Sequence, residues 1–431
     1  MQMDNISPHP EAPYLPVEIP AEMPTQSLRR WRNVDSTAMA KPQRTWLRRL
    51  LVLGGTVILT GAAAYAMYAV MTNIVLTYLQ IIILILFVPN FAWISLWFMN
   101  ALAGYFHMLR GDTKLRVPDL EAGQKMTLTR RTALLVPTYN EQPGRVFANV
   151  QAMYEALRAM GALRSFDFFI LSDTTEASIW LMEEKGFIEL RRRTGGDKQI
   201  FYRHRPKNFA RKSGNIEDFC RRWGKRYDFM VVLDADSIMT GEALVRLAAT
   251  MERHPEAGII QTAPQIVNSD TLFARLQQFA SRVYGPVVSG GLAFWHMGDG
   301  NYWGHNAIIR TRAFLEQGGL PVLAGREPFG GQILSHDFVE AALLRRGGWK
   351  VYMAPEIEGS YEESPPGLID LASRDRRWCQ GNMQHMAVLN SRGLWLIPSY
   401  SPGTKTIAVL QTRLHSCASW PAPERMGSCE R

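Results

Sequence analysis

The residues with the clearest chemical potential are acidic and stand just after apolar runs. Asp234-Ala235-Asp236 follows Phe229-Met230-Val231-Val232-Leu233. In extended backbone, residues two apart point to the same side, so the two carboxylates are expected to converge. Such a pair suits Mg²⁺ or Mn²⁺, which completes its shell with water and the oxygens of a substrate phosphate. Two further runs end alike: Pro137-Thr138-Tyr139-Asn140-Glu141 and Ser172-Asp173-Thr174-Thr175-Glu176. Any one of these groups could be a loop former or helix cap. Three in one α/β pattern mark a shared edge, because ligands sit outside the carboxyl ends of the strands. Cations for an anionic ligand cluster at Arg203, His204, Arg205, Lys207, Arg211 and Lys212, before Ser213-Gly214-Asn215 opens a helix whose N-terminus favours phosphate.

Two later segments add candidates. In Ser335-His336-Asp337, Asp337 reads equally as a general base or as the cap of the helix that follows. In Arg374-Asp375-Arg376-Arg377-Trp378, helical spacing puts Arg374 on one face with Arg377 and Trp378. Indole packs on sugar faces and guanidinium binds phosphate oxygens, so this face suits a phosphorylated sugar. The same stretch also reads as an amphipathic helix lying on a membrane.

The elements that must hold these residues are short apolar runs alternating with amphipathic ones. Strands are expected at 133–136, 166–171, 199–202, 229–233, 258–262, 307–310 and 350–353. Helices are expected at 145–160, 176–193, 215–223, 241–253, 272–282 and 338–346. This alternation specifies an α/β domain with a mainly parallel sheet over 118–390. No GxGxxG follows a strand, and Gly224-Lys225 is followed by Arg226 where a P-loop needs Ser or Thr. Few aromatics accompany the cations, which argues against nucleic acid as a partner.

The chain has 431 residues, 47% hydrophobic and 20% charged, with a net charge of +9. It is too apolar for disorder. Its four cysteines, Cys220, Cys379, Cys417 and Cys429, form no CxxC pair, which excludes a disulfide scaffold and suits a reducing compartment. From Leu50 to Phe106 there is no Asp, Glu, Lys or Arg. One crossing needs about 20 residues, so two membrane spans are expected within 46–108, at Leu50 to Met71 and Val75 to Ala103, joined through Thr72, Asn73 and Ile74. Basic residues flank the outer ends, with Arg29, Arg30, Arg32, Lys41, Arg44, Arg48 and Arg49 before and Arg110, Lys114 and Arg116 after. Both ends are therefore expected on the cytoplasmic side, with membrane lipids as neighbours. The proline-rich residues 1–45 read as a flexible cytoplasmic tail, and 391–431 as a polar tail.

Taken in order, these pieces resemble a processive family 2 glycosyltransferase of the GT-A (Rossmann-like) fold, over roughly 132–389. The resemblance implies that Asp173 contacts the base of the nucleotide donor, that Asp234 and Asp236 hold metal and diphosphate, that Asp337 is the base, and that Arg377 and Trp378 lie on donor and acceptor. Arg374 stands where the Gln of a QxxRW segment is expected. The wording is closer still to the glucan biosynthesis glucosyltransferase H family. The runs that carry this likeness are Val136 to Glu141, Leu171 to Thr175, Arg211 to Asn215, Gly304 to Ala307, Ser335 to Asp337 and Arg376 to Asn382. It implies an inverting enzyme of the bacterial inner membrane, using UDP-glucose and a growing glucan or lipid/glucan acceptor to build the mainly β-1,2-linked backbone of osmoregulated periplasmic glucans. Glu141 and Lys212 would join the donor site. Family members continue into further membrane helices, so 391–431 reads as a truncated end. A non-catalytic nucleotide-sugar sensor and a cellulose-like β-glycosyltransferase remain as alternatives.

Overall fold

The computed structural model describes residues 15–30, 45–72, 77–110, 115, 117–118, 127–389 and 391–392. Two apolar helices come first: α1 (Thr45–Met71) and α2 (Tyr78–Arg110), each long and apolar enough to cross a membrane. The first begins at Thr45 rather than Leu50, and the second runs past Ala103. Asn73, Ile74 and Val75 lie outside the described residues.

The α/β domain follows as β1 (Thr132–Thr138), α3 (Pro143–Ala159), β2 (Phe166–Ser172), α4 (Ala177–Thr194), β3 (Ile200–His204), α5 (Arg211–Trp223), β4 (Phe229–Val232), β5 (Ile238–Met239), α6 (Gly241–Arg253), β6 (Ala257–Thr262), β7 (Gln265–Val267), α7 (Leu272–His296), β8 (Ala307–Arg310), α8 (Thr311–Gln317), α9 (His336–Arg346), β9 (Lys350–Ala354), β10 (Ser360–Glu363) and α10 (Leu368–Leu389). The main sheet has the order β3-β2-β1-β4-β8-β6-β9, with β8 antiparallel to its neighbours and the other pairs parallel. These are the seven strands expected from the apolar runs. Alternation along each strand divides the core. Leu134, Val136, Phe168, Ile170 and Val231 face α3, α4 and α6. Ala133, Leu135, Phe169, Leu171, Met230 and Val232 face α5, α8 and α9. Both faces are covered, which is why the strands read as continuous apolar runs. A small sheet, β5-β10-β7, sits beside the carboxyl edge of β4 and was not expected.

Residues 15–30 do not behave as a flexible tail. They lie along the face made by α5, α8 and α9. Ile19 and Ala21 donate backbone N–H groups to the carbonyls of Arg222 and Arg221, at 2.9 and 2.8 Å, satisfying acceptors that the end of α5 would otherwise leave open. Trp223 Nε1 donates to the Pro16 carbonyl at 2.9 Å, Met23 is buried in the core, and Arg346 donates to the Ser27 carbonyl at 3.0 Å.

The outer ends of the apolar hairpin both touch this domain. Arg49 Nη2 donates to Asp299 Oδ2 at 2.7 Å, and the Arg48 guanidinium lies 4.5 Å from the Phe294 ring centroid. Near the other end, Asn100 accepts from Trp295 Nε1 at 2.9 Å and donates to the Val288 carbonyl at 3.2 Å. At Gly104 and Gly291, a Cβ would collide with the backbone of the opposite helix, so α2 and α7 cross closely. The hairpin therefore starts and finishes on the domain side. An alkaline phosphatase that works only in the periplasm should be active when fused after Thr72 and silent when fused after Leu128. Activity after Leu128 would reverse the orientation.

Candidate active site

The carboxyl ends of β1, β2 and β4 lie side by side, because β1 pairs in register with both neighbours and the Asp173 amide donates to the Thr138 carbonyl at 2.9 Å. Asp234 follows β4 after Leu233. The backbone then turns, with Ser237 N–H donating to the Asp234 carbonyl at 3.1 Å, so the pair is not in the extended form expected from its spacing. The turn still keeps both carboxylates together: loss of solvation, then the charge of Asp234, pushes the Asp236 pKa up. Glu141 is also raised, first by lost solvation and then by Asp236 and Asp234. Glu362 from β10 is raised by burial, with Asp234 and Asp236 adding to it and His305 opposing.

Three cationic or protonatable groups answer this charge. Lys212, in the first turn of α5, pairs with Asp234 Oδ1 and donates to the Gly304 carbonyl at 2.9 Å. His305 Nε2 lies 3.2 Å from Glu362 Oε2 and 3.9 Å from Asp234 Oδ2. Although lost solvation would raise Asp234, Lys212 and then His305 hold it below the usual carboxylate range. Arg145 pairs with Glu363, next to this cluster.

The cation run upstream divides by role. Arg203 is buried against Asp218 at 2.9 Å and Asn215 at 2.7 Å, Arg205 grips Asp173 with two bonds of 2.8 Å, and His204 Nε2 bonds the Thr174 carbonyl at 2.8 Å. Only Lys212 of that run reaches the carboxylates that follow β4. Asp173 is correspondingly 3% exposed, a buried partner of Arg205 at the edge of the site.

Asp337 stands in the first turn of α9, with Ser335 at the N-cap position, so the side chain is not the cap. It lies against Gly304, whose φ of 91° needs glycine and where a Cβ would come within 3.2 Å of Asp337 Oδ2. The Gly304 carbonyl accepts from both Lys212 and the Tyr302 hydroxyl, the latter at 2.8 Å. Asp337, Lys212 and Asp234 thus share one turn. Helix α10 closes the site from the far side: His385 Nε2 bonds the Ser335 carbonyl at 2.7 Å, and Gln384 accepts from the Leu334 amide at 2.9 Å. On its open face the Arg374 guanidinium sits 4.4 Å from the Trp378 ring centroid, as the helical spacing implies; Trp378 is 50% exposed and Arg377 is exposed. Neither bonds to the carboxylate cluster. The sequence reading missed Glu362, His305 and Gln384 as site residues. His305 was within reach, since it follows Gly304 in a run already singled out.

Among the described residues no three His, Cys, Asp or Glu side chains form a closed metal cage. The donor set of Asp234 and Asp236 nevertheless fits a hard divalent ion: carboxylate oxygens alone, with neighbouring acidic groups whose raised pKa values a cation would relieve.

The family model described as glycosyl transferase family 2 matches residues 133–318, and that for glycosyl transferase family group 2 matches 229–421. The second match runs past residue 389, where the resemblance read from the sequence ends. The chain is 54% identical to glucans biosynthesis glucosyltransferase H of Bradyrhizobium diazoefficiens, over 89% of this chain and 51% of that protein. It is 53% identical to the same-named protein of Rhodopseudomonas palustris (88% and 53%) and 51% identical to that of Xanthomonas campestris (89% and 60%). The chain thus spans about half the length of the first two of these relatives. A solved mannosyltransferase of Pyrobaculum calidifontis superposes with a TM-score of 0.45 at 13% identity, covering 77% of this chain and 87% of that one, a likeness that carries no argument about the site. Both family matches fall on the α/β domain, which is a glycosyl transferase family 2 domain of the GT-A fold. Within that class the three relatives named above are all glucans biosynthesis glucosyltransferase H proteins, which this chain resembles over 88–89% of its own length.

Replacing Asp236 with Ala should weaken UDP binding in the presence of Mg²⁺ by about tenfold or more, because it removes an oxygen ligand, whereas Arg374→Gln should leave it nearly unchanged. Titration calorimetry with UDP and Mg²⁺ measures both. Unaltered affinity in Asp236→Ala would remove the metal role from the pair.

Proposed function

We propose that the chain transfers glucose from UDP-glucose to a growing glucan or lipid/glucan acceptor at the cytoplasmic face of the bacterial inner membrane, building a mainly β-1,2-linked backbone with inversion at the anomeric carbon. The observation that carries the reading is the Gly304 turn, which sets a free-standing carboxylate, Asp337, beside a lysine already paired to the acidic residue after β4. An acid-base group and a phosphate-binding group next to one another are what glycosyl transfer from a nucleotide requires. The names of the relatives support glucose and glucan. The two apolar helices, with basic flanks at the ends nearest the domain, support the membrane and its inner face.

In this reading Asp173 and Glu141 line the donor site at the ends of β2 and β1, and Asp234 and Asp236 hold Mg²⁺ or Mn²⁺ with the diphosphate. When bound, that ion neutralises charge on the departing UDP. Lys212 adds to this from the N-terminus of α5, where phosphate is also favoured by the helix. Arg377 reaches for the diphosphate and Trp378 packs on the acceptor sugar. The acceptor oxygen bonds to the anomeric carbon as the bond to UDP breaks, the bonding electrons leave with UDP, and Asp337 takes the hydroxyl proton. One displacement turns an α-linked donor into a β-linked product.

Because Ser335 occupies the cap position, Asp337→Asn should keep the fold and bind UDP-glucose almost normally. UDP release should fall by about a hundredfold or more, the range of general-base catalysis. Release at the parental rate would move the base elsewhere. A parent that binds UDP-glucose yet releases no UDP would point to a sensor.

A further inference from the structure

Glu183 belongs to α4 and is 2% exposed, directly beneath the loops that follow β1 and β2. Its partners are four hydroxyls. Oε1 accepts from Thr174 at 2.8 Å and from Thr138 at 3.3 Å, while Oε2 accepts from Ser172 at 2.6 Å and from Tyr202 at 2.9 Å. The donors come from the ends of β1 and β2, the loop after β2, and β3. A buried carboxylate is costly unless its hydrogen-bond capacity is filled, and here each oxygen receives two donors. Burial, joined by the Glu183 charge, pushes the Tyr202 hydroxyl up, so that it stays protonated and donating.

The bonds around this carboxylate continue into the loops. Thr174 Oγ1 also accepts the Asn140 amide at 3.1 Å, the Thr174 amide donates to Ser172 Oγ at 3.2 Å, and its carbonyl is held by His204 at 2.8 Å. Asn140 Oδ1 in turn accepts the amides of Thr175 and Glu176, at 3.0 and 3.1 Å. The loop carrying Glu141 and the loop carrying Asp173 are therefore tied to one another over a single side chain. The His204 ring stacks on Trp180, one turn before Glu183 on α4, with centroids 4.3 Å apart.

We propose that Glu183 is a positioning residue for the nucleoside end of the donor, fixing through its four hydroxyl partners the relative placement of Asp173 and Asn140. The inference rests on the nucleotide-sugar reading above. An apolar side chain would fill the same volume but strand four hydroxyls, leaving the loops to find new partners. Glu183 touches neither the carboxylates after β4 nor Lys212, so its loss should spare the diphosphate end.

Glu183→Gln keeps the shape and turns one acceptor into a donor; Thr174→Val removes one of the four bonds and serves if the first variant does not fold. With Mg²⁺ present, UDP affinity should fall about tenfold in Glu183→Gln and less in Thr174→Val, while inorganic pyrophosphate binds as in the parent. The KM for UDP-glucose should rise with little change in kcat. Hydrogen exchange should quicken at residues 138–141 and 172–176 and stay unchanged in β4 and α6. Equal losses for UDP and pyrophosphate, or unchanged exchange in both loops, would overturn the assignment. A parent that binds pyrophosphate but not UDP would defeat the nucleotide-sugar reading itself, and exchange in the two loops would still decide whether Glu183 sets them.

Discussion

Like charges held at one sheet edge constrain the rest of this structure. Asp234 lies near enough to Glu141, Asp236 and Glu362 to disturb their protonation, and lost solvation makes those three harder to ionise. A fold with that edge must supply positive charge or leave the carboxylates protonated. Lys212 supplies part of it at Asp234, and His305 stands between Asp234 and Glu362. The charge still outstanding suits a divalent cation carried with a diphosphate, so the site is completed by the ligand it is proposed to bind.

The same economy of charge joins the domain to the apolar hairpin. Asp299 receives Arg49 at 2.7 Å and has Lys350 at 3.7 Å, while Arg345 donates to its carbonyl at 2.6 Å. Burial, followed by the charges of Arg345 and Arg49, drives the neighbouring His296 down to about 3, so this imidazole remains neutral. Asp299 also forms a parallel bridge with Val351 of β9. Arg49, which sequence rules count as a topogenic charge, thus spends that charge on a buried pair with the sheet. Anchor and domain meet at a defined point, and residues 15–30 make a second attachment across α5, α8 and α9.

Much of this was legible in advance where burial on both faces leaves an apolar run. Every strand of the main sheet was, including the short β8 at Ala307–Arg310. The small sheet was not, because Ser360-Tyr361-Glu362-Glu363 has no apolar pattern and its pairing partners are distant in sequence. That omission hid Glu362. The acidic residues after β1, β2 and β4 were recognised by type and placement, but their partners were not: one run of cations serves the core at Arg203, the Asp173 loop at Arg205 and the carboxylate cluster at Lys212. The segment 15–30 was misread because proline-rich composition reports on helix and strand propensity and says nothing of open carbonyls at the end of α5. Glu183 went unnoticed for a similar reason. On an amphipathic helix a glutamate reads as solvated, and only the fold brings four hydroxyls around it.

In the proposed reaction this carboxylate edge transfers a sugar from a nucleotide with a divalent ion in place. Incorporation of labelled glucose from UDP-glucose by membranes containing the protein, with Mg²⁺ and then with excess EDTA, tests it directly. β-Linked labelled product with Mg²⁺, stoichiometric UDP, and loss of both on chelation with recovery when the ion is restored are expected. Transfer that continues unchanged in EDTA, or label in α-linked product, would contradict it.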